Sequence, residues 1–138
     1  MNRREEALDL RREMYTRAVA LDLPAETIYL YVVNLSASLV NTERFDEATS
    51  FLREQLPKAR RALGAEDDTV LQLCWHYASS ICEADGATRD DVVESMKLHE
   101  DLGRTTLRIY GLAHPPAKNV QGTLKYARAK LAVFDTPI

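Results

Sequence analysis

Apolar residues recur along this chain every three or four positions, the spacing of one face of an α-helix, in six successive stretches. The first, about 3–22, carries Ala7, Leu10, Met14, Ala18 and Leu21, with Pro24 just past its end. The second, about 25–42, carries Ile28, Leu30, Tyr31, Leu35, Leu39 and Val40 and is apolar over more than half its circumference. The third, about 44–63, places Phe45, Ala48, Leu52, Leu56, Ala59 and Leu63 on one side, and Gly64 is its C-terminal cap. Pro57 falls inside it, and a mid-helix proline costs about 3 kcal/mol, so a kink or a break is expected there. The fourth, about 68–84, is apolar nearly all round, which predicts a helix sandwiched between neighbours. A loop at Asp85–Thr88 follows, with Thr88 or Asp90 as the next N-cap. The fifth runs about 90–110 on Val92, Met96, Leu102, Thr106 and Ile109, is weakened by Gly103 and is closed by Gly111. The sixth, about 116–134, follows His114-Pro115-Pro116 and lines up Val120, Leu124, Ala127, Leu131 and Phe134. No segment alternates with period two for long enough to be a strand, so the fold class is all-α.

These helices form a repeated pair. Glu26-Thr27-Ile28 falls on Asp68-Thr69-Val70, Asn34-Leu35-Ser36 on His76-Tyr77-Ala78 and Leu39 on Ile81, at an offset of 42. After a second-copy loop five residues longer, Phe45-Asp46-Glu47-Ala48 falls on Val92-Val93-Glu94-Ser95, and Arg61-Ala62-Leu63-Gly64 on Arg108-Ile109-Tyr110-Gly111. Glu5-Glu6-Ala7 matches Asp46-Glu47-Ala48 at an offset of 41. The order is a leading second-type helix, two full pairs and a closing first-type helix. A leading second-type helix is expected either as a degenerate cap or as the end of a longer array.

Over about residues 5–131 this pattern resembles the tetratricopeptide repeats of the kinesin light chain type. That family follows each pair with a Leu-Gly-x-x-His-Pro-x-Thr signature. Here the counterparts are Leu63-Gly64-Ala65-Glu66-Asp67-Asp68-Thr69 and Tyr110-Gly111-Leu112-Ala113-His114-Pro115-Pro116-Ala117, with Arg44-Phe45-Asp46-Glu47-Ala48 where the family has Gly-Arg-Tyr-x-Glu-Ala. Departures are Glu43 in place of the turn glycine, Tyr77 and Ser95 where small side chains or Ala are usual, and the long Asp85–Asp91 loop. The resemblance implies one domain, a superhelix of antiparallel pairs: a capping helix at 1–24, repeats at 25–64 and 65–111, and a closing helix at 112–138.

It also implies a concave surface on the first helix of each pair. The groove-facing candidates are Leu30, Val33, Asn34, Ala37 and Asn41 in the first pair, and Gln72, Trp75, His76, Ser79 and Glu83 in the second. Gln121, Lys125 and Arg128 come from the closing helix. In relatives an Asn at the position of Asn34 holds a bound peptide backbone; His76 replaces it in the second copy. Trp75 reads either as an aromatic anchor for an extended peptide or as a core tryptophan. Lys125 and Arg128 would either meet an acidic peptide or pair with Glu83, Asp90 or Asp91. The implied function is a non-catalytic scaffold that binds a peptide or protein through this face. The alternative is a structural subunit or assembly factor of a larger complex, held through repeat ends and the convex face. Self-association through the terminal helices is expected of so short a stack, whose end faces stay apolar.

Composition narrows the field. Of 138 residues, 46% are hydrophobic and 28% charged, which is against wholesale disorder, and five Gly and five Pro are too few for a turn-rich sandwich. There is no run of 18 apolar residues, and the chain opens Met-Asn-Arg-Arg-Glu-Glu, so neither a membrane span nor a secretory signal is expected. A pI near 5.6 lacks the basic footprint of nucleic-acid binding. The net charge of −3 is uneven: 1–63 balances, 64–101 is strongly acidic and 102–138 is basic. Either the last two face each other or a charged surface meets a partner. Cys74 and Cys82, about 12 Å apart along one helix, are too distant for a disulfide and point to an intracellular, cytoplasmic setting.

Candidate chemistry is sparse. Cys74, His76 and Cys82 do not make a metal site, because Cys74 and His76 point about 200° apart on a helix. His99 and His114 have no local partners, and no phosphate-binding, dinucleotide, zinc-protease or serine-elbow motif occurs. No catalysis, metal or cofactor is expected.

Overall fold

The computed structural model describes residues 2–111 and 115–136, with the side chains of the last helix from Leu124 onward. All six helices are present: α1 (Arg3–Ala20), α2 (Ala25–Asn41), α3 (Phe45–Leu63), α4 (Asp68–Glu83), α5 (Arg89–Tyr110) and α6 (Pro115–Asp135). No strand occurs among the described residues. His114 and the side chains of Val120 and Gln121 lie outside them.

Local chemistry sets the ends. Asn2 caps α1 by accepting from the Arg4 amide at 2.9 Å, and Asp67 caps α4 through the Thr69 amide at 2.8 Å. Thr88 caps α5 in a reciprocal box: its hydroxyl accepts from the Asp91 amide, and the Asp91 carboxylate accepts from the Thr88 amide. Gly64 and Gly111 close α3 and α5 at φ of 94° and 82°, where a Cβ would be strained. α1 and α2 end differently, on Asp22 and Glu43 at φ of 51° and 59°. In each case two hydrogen bonds close the turn, from Asp22 and Leu23 to the Val19 and Ala18 carbonyls, and from Glu43 and Arg44 to those of Val40 and Leu39. Of the kink or break expected at Pro57, the break does not occur. α3 continues through it, with the proline on the exposed side and Leu52, Leu56 and Ala59 buried on the other.

Consecutive helices pack on one another, and in addition α2 touches α4 and α4 touches α6. The core is a chain of clusters. Leu8, Leu35, Leu39 and Ala48 join α1, α2 and α3. A larger cluster around Val32, Leu52, Leu56, Leu73, Tyr77 and Leu102 joins α2 to α5. Cys82, Val92 and Ala127 join α4, α5 and α6.

The sequence repeat is also a repeat of burial. At the offset of 42, Val32, Leu35, Ser36, Ser38 and Leu39 are buried in α2, and so are Cys74, Tyr77, Ala78, Ser80 and Ile81 in α4. With the longer loop counted, Ala48, Leu52, Gln55 and Ala59 of α3 correspond to Ser95, His99, Leu102 and Thr106 of α5, and all eight are buried. The departures at Tyr77 and Ser95 are accommodated: the Tyr77 hydroxyl reaches Glu94 at 3.3 Å, and Ser95 Oγ donates to the Ala78 carbonyl at 2.7 Å.

α1 breaks the pattern. Of its apolar row Ala18 is buried, but Leu10 is 57% exposed, Met14 38% and Leu21 70%. The repeat equivalents of Met14 in α3 and α5, Gln55 and Leu102, are buried, α3 and α5 each packing on the first helix of its own pair, and no described helix stands in that place beside α1.

Candidate functional site

On α2, Leu30, Asn34 and Asn41 are exposed along one row and Ala37 is half-buried between them. Val33 is not on the open surface; it is turned into the central cluster with Val32 and Leu52, as its branched apolar side chain favours. On α4 the same row holds Gln72, exposed, and Glu83, half-buried. Between them His76 and Ser79 are closed over, at 9% and 6% exposure. α4 is packed against four other helices and α2 against three, which is why Asn34 stays open while its repeat partner His76 does not.

Trp75 combines the two alternatives left open for it. It is half-buried against the central cluster, and its ring lies 5.0 Å from that of His76, tilted by 57°. His76 Nδ1 and Ser79 Oγ, on successive turns beneath it, have no hydrogen-bond partner among the described residues. Burial pushes the His76 imidazole down to about 4, so the ring is neutral near pH 7.

On α6, Lys125 and Arg128 are exposed, and Arg128 lies 4.0 Å from Glu100 of α5 rather than beside Glu83, Asp90 or Asp91. Among the described residues of α6, Ala127 packs with Cys82 of α4, the Tyr126 hydroxyl is raised by burial and by Glu83, and the Lys130 ammonium donates to the Cys82 carbonyl. Tyr126 and Lys130 share a face distinct from that of Lys125, since Ala127 and Leu131 set which side is core.

The acidic middle faces the basic end in part, through Glu66–Arg108 and Glu100–Arg128, and is in part spent within the fold. Asp67 and Asp91 cap helices, Glu66 pairs with Arg108, Asp68 accepts from the Tyr110 hydroxyl, and Glu94 accepts from Tyr77. Cys74 and Cys82 are buried free thiols. His99 is fully buried; its Nδ1 lies 2.8 Å from the Ser95 carbonyl, and burial lowers its pKa. Neither His76 nor His99 bonds a carboxylate among the described residues.

Sequence reasoning missed a second concave region. Between α1 and α2 a cavity of about 340 Å³ is lined by Ala7, Leu10, Arg11, Met14, Tyr31 and Asn34. A second, of about 210 Å³, continues from it along Arg3, Arg4, Ala7, Arg11, Ser38 and Asn41. The signal in the sequence is the apolar row of α1, but a helix period shows which residues share a face and not whether that face is covered.

No family model matches the chain, and neither curated proteins nor solved structures give a match. No helix among the described residues is long and apolar enough to cross a membrane.

Proposed function

We propose that this chain is a non-catalytic interaction scaffold, a short array of tetratricopeptide-like pairs that holds a peptide or protein segment along the face shared by α2 and α4. The observation that carries this reading is the row on the two helices: Leu30, Asn34 and Asn41 are open on α2, and Gln72 and Glu83, the repeat partners of Leu30 and Asn41, are exposed and half-buried on α4 beside the half-buried Trp75. Trp75 supplies an aromatic anchor at the edge of the central cluster. Buried free thiols at Cys74 and Cys82 fit a reducing, cytoplasmic compartment.

Peptides selected from a random library on the immobilised chain test this, with affinities measured by calorimetry. Trp75→Ala and Gln72→Ala should each weaken the selected peptide by roughly tenfold, while Arg104→Ala, on the exposed side of α5, leaves it unchanged. Peptides indifferent to Trp75 and Gln72 would refute the assignment. The second reading, a permanently held subunit, draws support from Leu107 and Ile109, apolar and exposed on α5. It predicts instead that the Leu107→Asp variant fails to enter its complex.

A further inference from the structure

We propose that the groove between α1 and α2 is a docking site for an acidic amphipathic helix of a partner protein. The groove is separate from the α2–α4 face, with which it shares Asn34 and Asn41 as a border, and the proposal does not depend on that face binding anything.

The fold itself indicates what shape fits. Ala7, Arg11 and Met14 of α1 hold the repeat positions of Ala48, Leu52 and Gln55 in α3 and of Ser95, His99 and Leu102 in α5. Those six are buried, because α2 lies on α3 and α4 lies on α5; the Ser95 hydroxyl bonds the Ala78 carbonyl of the covering helix. α2 correspondingly has α1, α3 and α4 as neighbours, one fewer than α4 has. The uncovered place is therefore helix-shaped. The two cavities run along α1 from Arg3 to Met14, roughly 16 Å or three turns.

Charge indicates the chemistry. At the position where α3 buries Leu52, α1 has Arg11. Its guanidinium donates to the Asn34 carbonyl at 3.2 Å and to Ser38 Oγ at 2.6 Å, and Arg4 donates to the Asn41 carbonyl at 3.3 Å. Each guanidinium carries five N–H donors, so both keep others free. Neither they nor Arg3 form an ion pair among the described residues, whereas Arg12, Arg17 and Arg44 nearby all do. Unneutralised arginines at one end, with Leu10, Met14 and Tyr31 at the other, match carboxylates beside an apolar row. A second copy of α6 fits poorly, since it carries Lys118, Lys125, Arg128 and Lys130 against Asp135.

Two labelled synthetic peptides of about four helical turns make the test: one has a leucine row with glutamates elsewhere, and the other replaces every glutamate by lysine. Fluorescence anisotropy with the full chain should show the glutamate peptide binding at least about tenfold more tightly, and losing affinity as salt is raised. Leu10→Asp should weaken it by about tenfold. The double variant Arg3→Glu, Arg4→Glu should favour the lysine peptide instead. These residues are exposed, and circular dichroism melting confirms that the variants fold. Trp75→Ala should leave the glutamate peptide unaffected; if it abolishes binding, the peptide sits on the α2–α4 face and the groove assignment fails. Equal affinity for both peptides, or indifference to the arginine reversal, also overturns the proposal. So does a wild-type dimer in light scattering that Leu10→Asp dissociates, which would give the groove to a second copy.

Discussion

His99 stands in α5 where Leu52 stands in α3, so one repeat puts an ionisable ring at a position that the other fills with hydrocarbon. Its Nδ1 bonds the Ser95 carbonyl, while Nε2 has no partner among the described residues. Burial holds both His99 and His76 below the ordinary histidine value, His76 at about 4. As pH falls below about 6.5, these two rings take up protons in the unfolded chain but not in the folded one. Stability therefore falls with pH, at up to about 1.4 kcal/mol per pH unit for each ring. The carboxylates of Glu47 and Asp135 are held low by Arg12 and Arg89, so their contribution is lost only at more acidic pH. Between pH 7 and 5 the histidines dominate. His99→Leu, which copies Leu52, should lose less stability than the wild-type chain over that interval, as read from urea midpoints at the two pH values. Equal losses would show that His99 does not titrate as its burial requires.

Helices α1 and α2 end on turns that most chains build with glycine, and here Asp22 and Glu43 take the left-handed conformation. Asp tolerates it through its short polar side chain, but Glu gains no such relief. Glu43→Gly should raise stability by about 0.5–1 kcal/mol, the relief of Cβ strain offset in part by unfolded-chain entropy. The check is a shift of the urea midpoint without a change in slope; a destabilised variant would mean that the Glu43 side chain makes contacts outweighing the strain. The other helix ends were legible in the sequence, because Thr88, Gly64 and Gly111 act within one turn of their own position. Persistence of α3 through Pro57 was not, because it rests on the burial of Leu52, Leu56 and Ala59 by neighbouring helices.

At the scale of the whole molecule, stability follows the number of neighbours. α4 is packed against α2, α3, α5 and α6, whereas α1 packs its backbone on α2 alone and reaches α3 through side chains such as Arg12–Glu47 and Tyr15–Phe51. A linear stack opens most readily from its ends. Hydrogen exchange should therefore find the slowest amides in α4, from Leu71 to Cys82, and distinctly faster ones in α1. Equal protection in α1 and α4 would mean that the chain unfolds as one unit with no weak end.

Periodicity, caps and the offset between pairs determined six helices, their order and their repeat, because each depends on residues about a turn apart or on a comparison of one segment with another. The candidate row on α2 and α4 was traceable in the same way, since residues at helical spacing share a face. Which of its members remain accessible was decided only by tertiary structure. Asn34 and Asn41 stay open and His76 and Ser79 are covered, although a single offset relates them, because burial depends on how many helices surround each one. For the same reason the apolar side of α1, indistinguishable in sequence from a core-facing one, is left as a groove.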